Sequence, residues 1–157
     1  MAVRVGMGFD VHAFSGAPDR PLVLGGVRFD GERGLAGHSD ADVVAHAVAD
    51  ALLGAAGLGD LGDHFPDTDP VWASADSLDL LARVVDMVAA AGWRLGNVDC
   101  TLLLESPRVG PHRAAMQERL GAVVRAPVAV KATTAEGLGA IGRAEGVGCW
   151  AVALVEG

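Results

Sequence analysis

Val3, Val5, Met7, Phe9 and Val11 alternate with Arg4, Gly6, Gly8, Asp10 and His12. This period of two predicts a strand with one apolar face. The opposite face carries two glycines, which leave space above it, and ends in Asp10 and His12. Being two positions apart, those two side chains project to the same side. The period then becomes helical: Val44, Ala47, Val48, Ala51 and Leu52 share one face. Ser39 suits the N-cap of that helix and Asp42 the reciprocal position of a capping box. Asp42, His46 and Asp50 recur every fourth residue and lie near one another on another face. The helical pattern fades over residues 54–57.

Between these two elements, Leu22 to Leu24 and Val27 to Phe29 read as a short hairpin broken by Gly25 and Gly26, and residues 31–37 as a loop. Residues 59–70 are dense in Gly, Pro and Asp and predict a further loop. A second helix is expected from Ser74 or Ser77 to Ala91, with Leu78, Leu81, Val84, Val85 and Val88 inward. Residues 97–105 form a strand, Pro111 opens a third helix through Val124, and residues 127–134 form the next strand. Residues 137–143 make a turn or short helix, and residues 147–155 a closing strand. No repeat or linker interrupts the pattern. The expectation is a single domain over residues 1–157 of the α/β class: an α+β sandwich with one mixed sheet against about three helices.

Charge narrows the functions open to it. Twelve Lys plus Arg against twenty Asp plus Glu leave a net charge of −8. A nucleic-acid binder shows a basic stripe, and none is present. An anionic substrate would need local help from metal ions or helix ends. Hydrophobic residues make up 51%, with 22 glycines besides. That surplus reflects either an Ala/Val/Gly-biased genome or a buried subunit interface. Cys100 and Cys149 sit in apolar runs and read as reduced core residues. No signal peptide and no membrane-length apolar stretch is apparent, so a cytoplasmic protein is expected.

Asp10, His12 and His46 offer one carboxylate and two imidazoles from two elements. Such a set suits zinc or another divalent transition metal, with a fourth position open as in catalytic sites. The same spacing suits a capped helix bearing one surface histidine. Asp50, one turn after His46, could accept a hydrogen bond from its other ring nitrogen, or be a surface residue. Lys131-Ala-Thr-Thr-Ala-Glu136 ends a strand and holds the only lysine. Its ammonium, hydroxyls and carboxylate suit phosphate oxygens and a harder cation, or merely a hydroxyl-capped strand end.

Read together, the motifs are specific. Gly8-Phe-Asp-Val-His12, Gly37-His-Ser-Asp-Ala-Asp42 with His46, Ala51-Leu-Leu-Gly-Ala-Ala, Gly59-Asp-Leu-Gly62, Phe65-Pro-Asp-Thr-Asp-Pro70 and Lys131-Ala-Thr-Thr-Ala-Glu136 follow in this order. From about Arg4 to Val155 the chain resembles the 2-C-methyl-D-erythritol 2,4-cyclodiphosphate synthases, enzymes of the non-mevalonate route to isoprenoids. The resemblance implies a homotrimer with active sites between subunits. It implies conversion of 4-diphosphocytidyl-2-C-methyl-D-erythritol 2-phosphate to the cyclic diphosphate, with release of CMP. It assigns zinc to Asp10, His12 and His46, and a magnesium or manganese ion on the diphosphate to Glu136. His38 and Thr134 would stabilise the transition state. Ser39, Asp60, Leu61, Gly62, Phe65, Pro66, Asp67, Thr68, Asp69, Lys131 and Arg143 would contact substrate. Residues 104–110, Pro107 among them, would form the cytidine pocket with Thr133, from a neighbouring subunit.

The resemblance also places Phe9 and Arg143 on an axial channel that binds isoprenoid diphosphates in some members. Ala140 stands where a larger, often aromatic, residue is expected, and it widens that channel. Two other functions fit parts of the pattern: an isoprenoid-diphosphate-binding trimer without catalysis, and a zinc phosphohydrolase.

Overall fold

A computed structural model describes residues 1–157. In chain order it contains β1 (Val3–Ala13), β2 (Leu22–Leu24), β3 (Val27–Phe29), α1 (Val43–Ala56), α2 (Leu61–His64) and α3 (Ser77–Ala90). There follow β4 (Arg94–Leu103), α4 (Arg113–Val124), β5 (Val128–Thr133), α5 (Gly139–Gly142) and β6 (Gly146–Glu156). The main sheet has four strands in the order β1-β6-β4-β5 and is mixed: β4 and β5 are parallel, the other pairs antiparallel. β2 and β3 form a separate hairpin, turned by Gly25 and Gly26 at φ 59° and 74°, values that favour glycine. The three long helices lie on one side, and 35 buried residues make one continuous core.

α1 is the centre of that core. Eleven of its 14 residues are buried, so it is apolar on nearly every side rather than on the single stripe expected. Its one open line is His46, Asp50 and Gly54. The helix packs directly on the backbone of β1. A Cβ at Gly6 would fall 2.0 Å from the Ala51 carbonyl oxygen, and one at Gly8 would fall 1.9 Å from that of Ala47. The glycines are therefore the packing surface of β1. Its valines face away: Val5, Met7 and Phe9 are 63%, 67% and 45% exposed, and Trp150 and Val152 of β6 extend the same open apolar face.

Ser39 is not the N-cap of α1. Asp42 is, accepting hydrogen bonds from the N–H groups of Val44 and Ala45. The same carboxylate accepts from Gly25 and Gly26 at 2.8 and 2.7 Å, tying the hairpin turn to the helix. A serine hydroxyl has too few lone pairs for four donors, whereas a carboxylate has enough. The Ser39 hydroxyl accepts from the Ala41 N–H instead.

Other boundaries shift for local reasons. β4 starts at Arg94, three residues before the expected strand, because a bulge between Leu95 and Asn97 lets pairing with β6 continue to Glu156. The loop over residues 59–70 contains α2, which Asp60 and Asp63 close with a capping box. Asp76 caps α3, which buries Leu80 and leaves Leu78 only half-buried. Cys100 and Cys149 are free and buried, and the neighbouring Cys100 thiol together with burial pushes the Cys149 thiol up. No helix is long and apolar enough to cross a membrane.

Candidate active site

β1 and α1 bring Asp10, His12 and His46 together. Asp10 Oδ2 lies 2.9 Å from His12 Nε2 and 3.0 Å from His46 Nδ1. The three potential ligand atoms fall within 4.8 Å of one another. The far nitrogen of each ring has its own partner: His12 Nδ1 is 2.7 Å from the Ala36 carbonyl oxygen, and His46 Nε2 is 2.8 Å from Ser77 Oγ. A carbonyl only accepts, so His12 Nδ1 carries a hydrogen, and in the neutral ring Nε2 is the bare nitrogen, facing Asp10. A lone pair facing a carboxylate calls for a cation between them. Burial opposes ionisation of Asp10, but hydrogen bonds with both histidines hold its carboxyl below the ordinary range. Burial likewise disfavours the imidazolium of His12, yet its bond to Asp10 raises it above an ordinary histidine. One carboxylate oxygen and two imidazole nitrogens converging in this way fit a divalent metal with an open position.

The triad forms the floor of a cleft of about 480 Å³. Of the residues assigned to substrate by resemblance, Ser39, Leu61, Gly62, Phe65, Pro66 and Asp67 line it, together with His38. His38 Nε2 is 3.0 Å from the Asp69 carbonyl oxygen, which ties the two walls together. Trp72 adds a wall, packed edge-on against Phe65 with ring centroids 4.9 Å apart. Asp60, Thr68 and Asp69 do not line the cleft. Asp60 caps α2, and the Asp69 side chain caps the turn at Pro70–Trp72. Asp50 does line it but does not hold His46. Its carboxylate accepts from the Leu61 N–H at 2.7 Å, and burial raises its pKa.

A family model described as the YgbB family matches residues 3–156. This chain belongs to the YgbB family. It is 56% identical over 156 residues to a protein named 2-C-methyl-D-erythritol 2,4-cyclodiphosphate synthase from Symbiobacterium thermophilum, covering 98% of each. Among solved structures it resembles the bifunctional IspDF from Campylobacter jejuni, with a TM-score of 0.93 and 41% identity over 98% of this chain and 42% of that one. It also resembles a CDP complex of IspF from Plasmodium falciparum, with a TM-score of 0.85 and 28% identity over 98% and 96% of the two chains.

In this YgbB chain the remaining assigned residues stand apart from the cleft. Asp10 pairs with Cys149, Cys149 with Leu102 and Leu102 with Ala132 across the sheet. Thr133, Thr134 and Glu136 therefore lie at the same end of the sheet as the triad but three strand spacings away, about 14 Å. Pro107 follows β4 at that end. The Glu105 carboxylate accepts from the Ala135 N–H at 2.8 Å and ties the 104–110 loop to this turn. Thr134 Oγ1 accepts from the Glu136 N–H at 3.2 Å, the hydroxyl-capped strand end. The Lys131 ammonium is occupied by Asp99 at 2.6 Å, and Arg143 pairs with Glu145.

Sequence reading missed three supporting residues. Ser77, read only as a possible helix start, and Asp40, its partner, stand behind His46. Arg20 donates to the carbonyls of Leu35, Gly37 and Ser39, fixing the segment that carries Ala36 and His38. Its only sequence signal was an arginine beside a proline, which carries no chemistry alone.

Proposed function

We propose that this chain converts 4-diphosphocytidyl-2-C-methyl-D-erythritol 2-phosphate to 2-C-methyl-D-erythritol 2,4-cyclodiphosphate and CMP, as a lyase of non-mevalonate isoprenoid biosynthesis. The observation that carries this is the Asp10/His12/His46 centre, open on a cleft and held by partners on the far nitrogen of each ring. The names of its relatives and the CDP held by a structural neighbour support it.

The nucleophile belongs to the substrate. A phosphate monoester has a second pKa of about 6, so the 2-phosphate is largely dianionic at neutral pH and needs no general base. The protein's task is to bring two anionic groups together and stabilise the leaving CMP. A zinc or other divalent ion at the triad, and a magnesium or manganese ion at Glu136, would supply Lewis-acid charge to the diphosphate. Residues 61–67 hold the methylerythritol phosphate against the cleft wall. His38 and Thr134 place polar groups at the transferring phosphoryl. Residues 104–110, with Thr133, receive the cytidine.

The two halves of this site stand at opposite edges of one sheet, and a second copy of the chain brings them together. The open apolar face of β1 and β6 supports a cyclic trimer. Phe9 lies on that face, 4.8 Å from Trp150 between ring centroids, where an axial channel would take an isoprenoid diphosphate as a second ligand. Residues 1–157 act as one catalytic domain, in the cytoplasm.

The deciding experiment incubates purified protein with the cytidine substrate, zinc and magnesium and follows phosphorus resonances. Equal amounts of CMP and a cyclic diphosphate are expected. Linear hydrolysis products would indicate a phosphohydrolase, and no turnover an idle binding protein.

A further inference from the structure

The two histidines of the triad are fixed in different ways. His12 is set directly by the Ala36 carbonyl. His46 Nε2 instead meets two hydroxyls, Ser77 Oγ at 2.8 Å and Ser39 Oγ at 3.2 Å. A hydroxyl can donate or accept, so these contacts alone do not decide which ring nitrogen carries the hydrogen.

The decision is made one residue further out. The Ser77 hydroxyl donates to Asp40 Oδ1. A carboxylate only accepts, and Ser77 has a single hydroxyl hydrogen. With that hydrogen committed, Ser77 Oγ can only accept from His46, so Nε2 must be the donor. In the neutral ring Nδ1 is then the bare nitrogen, aimed at Asp10 Oδ2, 3.0 Å away. Asp40 is itself held in place, accepting from the N–H groups of Ser77 and Asp42, both at 3.1 Å. Its own N–H donates to the Ala75 carbonyl at 3.1 Å. Ser77 is 1% exposed, so water does not compete for its hydroxyl.

We propose that Asp40, acting through Ser77, is the positioning pair that locks His46 in the tautomer able to ligate a divalent metal through Nδ1. The proposal rests on the metal reading of Asp10, His12 and His46. Ser39 sharpens it. Its hydroxyl accepts from the Ala41 N–H and keeps one hydrogen to give. If Ser77 lost its hydroxyl, Ser39 would donate to His46 Nε2 and draw the hydrogen to Nδ1, blocking the ligand position.

The test is long-range proton–nitrogen correlation of the histidine rings in metal-free protein, in alkaline buffer where imidazoles are neutral. Zinc affinity is measured beside it by competition with a chromogenic chelator. Wild type should show His46 with hydrogen on Nε2 and His12 with hydrogen on Nδ1. Ser77→Ala should move the His46 hydrogen to Nδ1, leave His12 unchanged and weaken zinc binding about 10- to 100-fold. Asp40→Asn keeps the hydroxyl but offers Ser77 an amide donor. It should shift His46 in the same direction, and it decides the matter if the alanine variant does not fold. His46 retaining Nε2–H with wild-type zinc affinity in the folded variants would overturn the proposal. A tautomer switch in a protein whose wild type binds no zinc would overturn the metal reading and leave the Asp40–Ser77 relay standing.

Discussion

Gly8 lies so close beneath Ala47 that a Cβ on it would fall 1.9 Å from the Ala47 carbonyl oxygen and 2.7 Å from the Ala51 nitrogen. Both are backbone atoms one turn apart, so no side chain can swing aside. The contact sets the height of α1 over β1, and with it the gap between His46 and Asp10. Gly8→Ala should cost about 3 kcal/mol or more by urea denaturation, the upper end for overpacking. Gly16→Ala, where nothing lies within 4 Å, is the matched control and should change stability little. Equal stability of the two variants would show that α1 is free to lift.

His46→Ala removes one of the three proposed protein ligands from the least buried line of α1. Metal content should fall to a trace and CMP release by two orders of magnitude or so, with the circular-dichroism spectrum kept. A full complement of zinc in the variant would sink the ligand assignment.

Glu136→Gln keeps shape and removes charge at a turn where the residue already sits at φ 53°. Magnesium held by a single carboxylate and substrate oxygens should bind only with substrate. The variant should need more magnesium for half-maximal rate and hold as much zinc as wild type. Unchanged magnesium dependence would make Glu136 a turn residue and nothing more.

Met7 pairs with Val152 at the middle of the open sheet face. Light scattering should give about three times the chain mass for wild type, as a cyclic trimer requires. Met7→Lys should lower the mass and abolish turnover while zinc remains bound. A fully active monomer would rule out a site shared between subunits.

Asp42 makes a pH prediction with an unusual sign. Burial raises its carboxyl to about 6, with Asp40 adding to the shift and four backbone N–H donors opposing it. Because the folded pKa lies above the unfolded one, the folded state binds the proton more tightly. The contribution of Asp42 therefore grows as pH falls from above 6 toward 4, and is lost as pH rises through 6. Between pH 7.5 and pH 5 it should add roughly 1.4 kcal/mol to wild type relative to Asp42→Asn, which cannot titrate. Asparagine must also turn an amide toward an N–H donor, so that variant should be less stable at both pH values. Parallel urea curves for the two proteins at both pH values would show that Asp42 does not titrate in this range.

The sequence by itself determined the local parts. Period two placed Asp10 and His12 on one face of a strand, and period 3.6 placed His46 on a helix, because side-chain direction follows from backbone geometry alone. The ordered motifs then named the chemistry of the set. Of the loop residues those motifs assigned, Leu61, Gly62, Phe65, Pro66 and Asp67 line the cleft, and Asp60, Thr68 and Asp69 do not.

Tertiary structure decided what depends on a distant neighbour. Period two shows that β1 has a glycine face and a valine face. Only the approach of α1 shows that the glycines are buried and the valines open. Ser39 and Asp42 are both good helix caps in isolation. Asp42 takes the role because the Gly25–Gly26 turn, 16 and 17 residues away, presents two further donors that only a carboxylate can satisfy. Asp40 and Ser77 are 37 positions apart and meet only when α3 docks beside α1. The strand order puts the turn carrying Glu136 beside one edge strand and Asp10 on the other, a separation set by pairing between strands far apart in the chain. Hydrogen bonds and packing act over a few ångströms, and the chain folds residues far apart in sequence into that range.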